Sequence, residues 1–236
     1  MSDEIPLQST GDLQSLCRNI YPVLFDTEKT SWTLEELKHA AREDQKSPEG
    51  FTSLVHKDVF QYMLANTYDE VAALCPIFDL ATLKKLTKEQ QSLSVTHPSG
   101  NPARWAILST WIAVALRFRA AGGSEGEYSH VIKSYYCNAT LVLSDLILQN
   151  TTLQNIQSLL FMAILAEVLG DHRSFVMLVT NAARQMELVA RTPPTMLSSE
   201  ARELYERLLS FSQILDRKVA RDHSLVAILA PKDVTT

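Results

Sequence analysis

The sequence has few glycines, prolines and cysteines and no excess of basic residues, and each of these shortages excludes a class of protein. Only 7 Gly and 9 Pro occur in 236 residues, so a long disordered or collagen-like segment is not expected away from the ends. Three Cys, at positions 17, 75 and 137, are too few and too widely spaced for a disulfide framework or a zinc knuckle. The formal net charge of −5 argues against direct nucleic-acid binding, because phosphate contacts need a basic surface.

Motifs that hold metals, cofactors or covalent intermediates are missing as well. The sequence has no glycine-rich phosphate loop, no serine elbow and no His-Glu-x-x-His, and no two of the six His stand three or four residues apart. We therefore predict neither a metal nor a cofactor. The first residues lack the basic start and apolar core of a signal peptide. The chain is expected to be intracellular, either cytoplasmic or nuclear, and not attached to a membrane.

The most apolar stretch predicts a central buried helix over residues 152–169. Between Leu159 and Leu169 every residue except Glu167 is apolar, so no polar stripe faces water. Thr151 or Thr152 can cap the start, and Gly170 stands where a helix often ends in a left-handed residue. The apolar run is too short to cross a bilayer.

Helical periodicity extends over the rest of the chain. Apolar residues recur at helical spacing, and no segment alternates convincingly over strand length. The chain is predicted to be an all-α, single-domain bundle of about nine or ten helices around the 152–169 helix. The predicted helices lie within residues 11–25, 33–42, 51–73, 79–86, 103–119, 127–149, 152–169, 171–191 and 198–218.

Several polar side chains interrupt the apolar faces of the second half. A buried polar group without a partner costs about 1–3 kcal/mol, so each either makes an interhelical hydrogen bond or lines a ligand cavity. The cavity hypothesis takes Asn181, Tyr135 and His172 as candidate catalytic groups, His172 because an imidazole can serve as an acid or base near neutral pH. It takes as substrate-binding residues Trp105, Trp111, Asn138, Gln157, Glu167 and Gln185. The alternative is that the Trp residues are core aromatics and that His172 meets free carbonyls or solvent.

Glu167 has two interpretations of its own. Either Arg184 or another cation pairs with it as part of the scaffold, or it faces a cavity and carries a raised pKa.

The order of features from Leu54 to Leu229 resembles the fungal-specific transcription factor domain, the helical middle region of fungal zinc binuclear cluster regulators. The resemblance is carried by Tyr62 to Phe78, Ala106–Phe118, Tyr135-Tyr136, Leu153–Leu165 with Gln157, Gly170-Asp171, Asn181-Ala-Ala-Arg184 and Ala201 to Arg217. It implies a family-like helical body over residues 51–230, preceded by N-terminal helices in residues 1–50.

The chain departs from the family in the DNA-reading part. Such regulators normally begin with six Cys that hold two zinc ions, followed by a basic linker and a coiled coil, whereas the first fifty residues here contain one Cys and no heptads. Within the last signature, the family tends to have arginine and aromatic residues where this chain has Tyr205, Glu206 and Phe211. A glycine of its ending is also replaced, around Ala220 to Asp222.

Two functional hypotheses follow. In the first, which the missing DNA-binding part favours, the body is a cofactor-independent cyclase, pericyclase or isomerase of fungal specialised metabolism. Such an enzyme works by preorganisation and by hydrogen bonds to developing charge. In the second, it is a ligand-sensing or protein-interaction module of a regulator and does not itself bind DNA. Both predict a hydrophobic small molecule as substrate or ligand, and a homodimer is left open.

Overall fold

The computed structural model describes residues 50–119, 125–191 and 198–229, and within them every regular element is a helix. This confirms the all-α prediction. The eight helices are α1 (Lys57–Leu74), α2 (Leu80–Leu93), α3 (Pro102–Arg119), α4 (Glu125–Leu141), α5 (Leu143–Leu148), α6 (Leu153–Val168), α7 (His172–Val189) and α8 (Ser199–His223). The count of nine or ten is not confirmed, and the helices predicted within residues 11–25 and 33–42 lie outside the described residues.

Two neighbouring helices, rather than one, occupy the interior. Residues 103–116 of α3 and 155–166 of α6 are buried without interruption, because neither helix carries a polar stripe that could face water. The two pack against each other; α3 also packs against α1, α2, α4 and α5, and α6 against α7 and α8. The prediction of a single central helix is therefore not confirmed.

The capping signals of the second half lie where they were predicted. The Thr152 side chain accepts a hydrogen bond from the Asn155 N–H at the start of α6, and Asp171 and Ser198 cap α7 and α8 in the same way. At the end of α6, Gly170 has φ +74°. The N–H of Gly170 donates to Glu167, and that of Asp171 donates to Ala166, which is the Schellman pattern.

The first helix begins at Lys57, later than the predicted start at residue 51. Tertiary partners take up the backbone groups that would otherwise bond within a helix. Leu54 N–H donates to the carbonyl of Val95 at 2.8 Å, and the Val55 carbonyl accepts from Gln91 Nε2 at 2.7 Å. The segment 51–55 is therefore held outside the helix by other parts of the chain.

The second helix ends at Leu93, not near Leu86, so the predicted loop from residue 87 is wrong at its start. Gln90 lies on the buried side of α2. Its Nε2 donates to the carbonyls of Ser94 and His97, and its Oε1 accepts from Arg104 Nε at 2.8 Å. These bonds satisfy a polar residue inside the fold, which the loop prediction did not allow for.

The helix predicted over 127–149 is interrupted at Val142. That residue has φ −97° and ψ 7° and divides α4 from the short helix α5. The short helix α5 ends at Leu148, so the Leu146 carbonyl lies in its last turn and is available to a side chain of another helix, as described below.

Candidate functional site

Two predicted site residues on α4 hold the non-helical segment 51–55. The Asn138 side chain donates to the Thr52 carbonyl at 2.6 Å and accepts from the Thr52 N–H at 2.7 Å. One turn earlier, the Tyr135 hydroxyl donates to the Ser53 carbonyl at 2.8 Å. Tyr135 and Asn138 are both buried. The structure brings these two residues together, and these hydrogen bonds serve backbone groups.

Gln157 and Gln185 make the same kind of contact elsewhere. Gln157 Nε2 donates to the Ile77 carbonyl at 2.9 Å, which ties α6 to the turn between α1 and α2. Gln185 Nε2 donates to the Leu146 carbonyl at 2.7 Å, which ties α7 to α5. Buried side-chain amides thus satisfy backbone carbonyls at places where helices end.

The two predicted tryptophans are fully buried in α3 and belong to different aromatic groups. Trp111 packs with Phe78 and Phe161, with ring centroids 6.5 and 5.7 Å away, and stacks on Tyr68 at 6.3 Å. Trp105 meets the edge of Phe51 at 5.5 Å. These contacts are those of core aromatics.

Glu167 pairs with a cation, but the cation is not Arg184. Lys218 of α8 forms an ion pair with Glu167 and lies 5.7 Å from the centre of the Phe175 ring. Arg184 instead pairs with Glu187 on its own helix at 2.8 Å. The contact of Glu167 is thus the scaffold ion pair of the first interpretation, with Lys218 as the other cation.

The three candidate catalytic residues do not converge on one cavity. His172 is exposed at the start of α7, and Asn181 is half-buried and donates to the Met177 carbonyl of the same helix at 2.8 Å. Nine residues of helix separate His172 from Asn181, a rise of about 13 Å. Tyr135 is engaged with Ser53. This arrangement gives the cyclisation hypothesis no support.

A cleft of about 420 Å³ lies where the end of α3, the first half of α4 and the turn between α6 and α7 meet. It is called the Tyr136 cleft below. Its lining residues are Arg117, Ser129, Ile132, Lys133, Tyr136, Val168, Leu169 and Asp171. None of the nine predicted site residues lines it. Its volume falls in the range of about 300–1,000 Å³ that is usual for small-molecule sites.

Hydrogen bonds and burial set the charge state of two groups in this cleft. Partial burial is the largest influence on Tyr136 and raises the pKa of its phenol, to which the Asp171 carboxylate adds. Hydrogen bonds from the hydroxyl and backbone N–H of Ser174 hold the pKa of Asp171 below its usual value, with help from Tyr136 and His172. Tyr136 is thus a neutral phenol and Asp171 a carboxylate at neutral pH.

The positive charges of the cleft are less engaged. Among the described residues, neither Arg117 nor Lys133 forms an ion pair. Sequence reasoning missed both, and it also missed the role of Tyr136. The available signal was the i, i+3 spacing of Lys133 and Tyr136 on the face of α4 next to the one that carries Tyr135 and Asn138.

A second cleft, of about 520 Å³, is more polar. It lies between the loop before α3 and the loop before α6, and its lining residues are Gly100, Asn101, Pro102, Leu148, Gln149, Asn150, Thr152, Gln154 and Asn155. Asn101 Nδ2 donates to Gln154 Oε1 across it at 3.3 Å. Its polar groups largely serve helix starts and one another.

The described parts of the chain contain no group of three or more His, Cys, Asp or Glu side chains arranged to hold a metal. Of the two described thiols, Cys137 is exposed and Cys75 is buried, and burial raises the pKa of Cys75. Cys75 is therefore a neutral, apolar group of the core. No helix within the described ranges has the length and apolar character needed to cross a membrane.

Comparison with known proteins gives one match. The model of a family described as the fungal specific transcription factor domain matches residues 64–235, from the middle of α1 through α8 and the segment after it. No curated protein and no solved structure matches the chain.

Proposed function

This chain belongs to the family of the fungal specific transcription factor domain, and we propose that it acts as the regulatory helical body of a transcription regulator. In this proposal it senses a small molecule or binds another protein, and that binding changes the level of transcription from a promoter. A nuclear location is part of the proposal and can be tested by microscopy of a fluorescently tagged chain.

The observation that carries the proposal is the extent of the family match. It covers well over half of the chain and includes the two buried helices α3 and α6. A match of this extent concerns the whole helical body and not one short motif. The proposal therefore takes the described fold itself as the regulatory unit.

The contacts of the polar residues support a structural role for these side chains rather than a catalytic one. Tyr135, Asn138, Gln157 and Gln185 each bond to a backbone group of a distant segment. No contact favours the cyclase, pericyclase or isomerase hypothesis over this one, and we do not carry it further. The Tyr136 cleft is open to a ligand and supports the sensing form of the proposal.

Direct reading of DNA is assigned to another module or partner. The formal net charge of −5 is opposite to what phosphate contacts need. A partner that supplies basic side chains, or a second copy of this chain held next to such a partner, would complete the regulator.

The proposal can be tested with a fusion of the full chain to a DNA-binding domain from an unrelated organism, measured on a matched reporter in a fungal host. We expect reporter output to differ at least threefold from that of the DNA-binding domain alone. The control is the same fusion with Trp111→Ala, which should disrupt the fold. The regulatory function would be rejected if the fusion gave the same output as the DNA-binding domain alone in every growth condition tried.

A further inference from the structure

We propose that the Tyr136 cleft binds a small hydrophobic carboxylate, with Arg117 and Lys133 as the cations that hold its charged end. The inference rests on the proposed regulatory function, since it names the class of molecule that the module would sense. Ligand binding in this cleft can be tested without any transcription assay.

The volume of the cleft and its apolar wall suit the apolar part of a small ligand. Its volume is about 420 Å³. Ile132 is buried at the wall formed by α4, while Val168 and Leu169 keep 36% of their surfaces exposed at the end of α6. Large apolar side chains at that exposure are a favourable surface for an apolar ligand, because contact removes them from water.

The charges of the cleft favour an anion at the polar end. Arg117 stands in the last turn of α3, and Lys133 lies on α4. Neither is neutralised by an ion pair within the described ranges. An arginine and a lysine that line the same cleft offer a planar pair of donors and a mobile point charge, a combination that suits a carboxylate.

Among the described lining residues the single acid, Asp171, is already committed to the protein. Asp171 Oδ1 accepts from the Ser174 N–H at 3.1 Å and caps α7, so the positive end of that helix offsets its charge. It also takes part in hydrogen bonds with the Ser174 hydroxyl and Tyr136. A cationic ligand would find this carboxylate occupied and two positive charges against it, whereas a carboxylate ligand finds both cations available.

The combination of an apolar wall and two cations also favours hydrophobic carboxylates over simple anions. Inorganic phosphate would use the charges but not Val168, Leu169 or the Tyr136 ring. An uncharged alcohol of the same shape would use the wall but not the charges. Only a molecule with both parts is expected to use all of the cleft.

The test is calorimetric titration of the full chain at low salt with phenylacetate and with octanoate. We expect both to bind at least tenfold more tightly than acetate, inorganic phosphate, 2-phenylethanol or octanol. Equal binding of phosphate would show that the wall is not used, and equal binding of the alcohols would show that the cations are not used. Either result, or no binding of the two carboxylates, would overturn the inference.

Variants locate the binding in the cleft. Arg117→Gln with Lys133→Gln should weaken phenylacetate binding at least tenfold. The matched control is Lys84→Gln with Lys88→Gln, which removes two exposed charges from α2 and should change binding less than twofold. If the Arg117 variant does not fold, Lys133→Glu alone reverses an exposed charge and should cause a tenfold loss. Unchanged binding in a folded cleft variant would overturn the inference.

The outcome separates the cleft from the regulatory function. Carboxylate binding that Lys133→Glu abolishes, together with a reporter that never responds, would support the site and reject the regulatory function. A reporter that responds to the fusion, in a protein that binds neither carboxylate, would reject the site and leave the function standing.

Discussion

Adjacent polar residues on two faces of helix α4 have different surroundings. On the inner face, Tyr135 and Asn138 are buried and bonded to the non-helical segment at residues 52 and 53. On the outer face, Lys133 and Tyr136 line an open cleft. Tyr135 and Tyr136 are the same residue type at consecutive positions, so composition cannot explain the difference. The inner face meets backbone groups that need partners, and the outer face meets solvent and a neighbouring helix end.

The largest effect should come from the interior on which both faces depend. Trp111→Ala removes a fully buried ring that packs with Phe78 and Phe161. We expect a loss of about 4 kcal/mol in the free energy of unfolding, measured by urea denaturation. Phe118→Ala, on the same helix with 42% of its surface exposed, should cost less than about 1 kcal/mol. Similar losses for the two variants would contradict the assignment of Trp111 to the core.

The next effect tests the inner face directly. Asn138→Ala leaves both the N–H and the carbonyl of Thr52 without their partner. Each orphaned group costs about 1–3 kcal/mol, so we expect a loss of about 3 kcal/mol in urea denaturation. Cys137→Ala, at the exposed neighbouring position, should change stability by less than about 0.5 kcal/mol. If Asn138→Ala proves as mild as its control, the segment at Thr52 is not held as described.

The sharpest comparison is between the two tyrosines. Tyr135→Phe removes a hydroxyl that donates to the Ser53 carbonyl from a buried position, and we expect a loss of about 1.5 kcal/mol. Tyr136→Phe removes a hydroxyl of a half-buried residue, where water can replace the lost bond, and should cost about 0.5 kcal/mol or less. Paired thermal and urea unfolding of the two variants measures the difference. The reverse order of losses would mean that the faces are wrongly assigned.

The smallest effect belongs to the rim of the cleft and depends on pH. Asp171→Ala removes the cap of α7 and should cost about 1 kcal/mol at pH 7. Because the pKa of Asp171 is lower in the folded state, its contribution is complete above the unfolded pKa of about 3.9 and is lost as pH falls through the folded value. Urea unfolding at pH 7 and pH 3 should show the gap between wild type and variant closing.

The control for the cap is Asp69→Ala, which removes an exposed carboxylate from the middle of α1. Its loss should be small at both pH values. A gap for Asp171→Ala that stays constant from pH 7 to pH 3 would show that its charge contributes nothing to the cap.

Sequence reasoning identified polar residues inside the fold, but neither their partners nor the residues that line the Tyr136 cleft. The sequence singled out Tyr135, Asn138, Gln157 and Gln185 as polar residues inside apolar helices, and left open whether they bind a ligand or the protein. Their partners lie far along the chain: 86 residues separate Asn138 from Thr52, and 80 separate Gln157 from Ile77. No local pattern could identify those partners. For the same reason the cleft around Tyr136, built from three separate elements, was not predicted.

Local chemistry by itself determined that this chain is helical and where several helices begin and end. Apolar spacing, the caps at Thr152, Asp171 and Ser198, and Gly170 act over a few residues, so they can be identified without knowledge of the fold. Tertiary structure alone decided that residues 51–55 lie outside the helix, which polar groups bond to the backbone, and which face a cleft. Those outcomes depend on which distant atom satisfies each donor and acceptor, and that is fixed only when the helices pack.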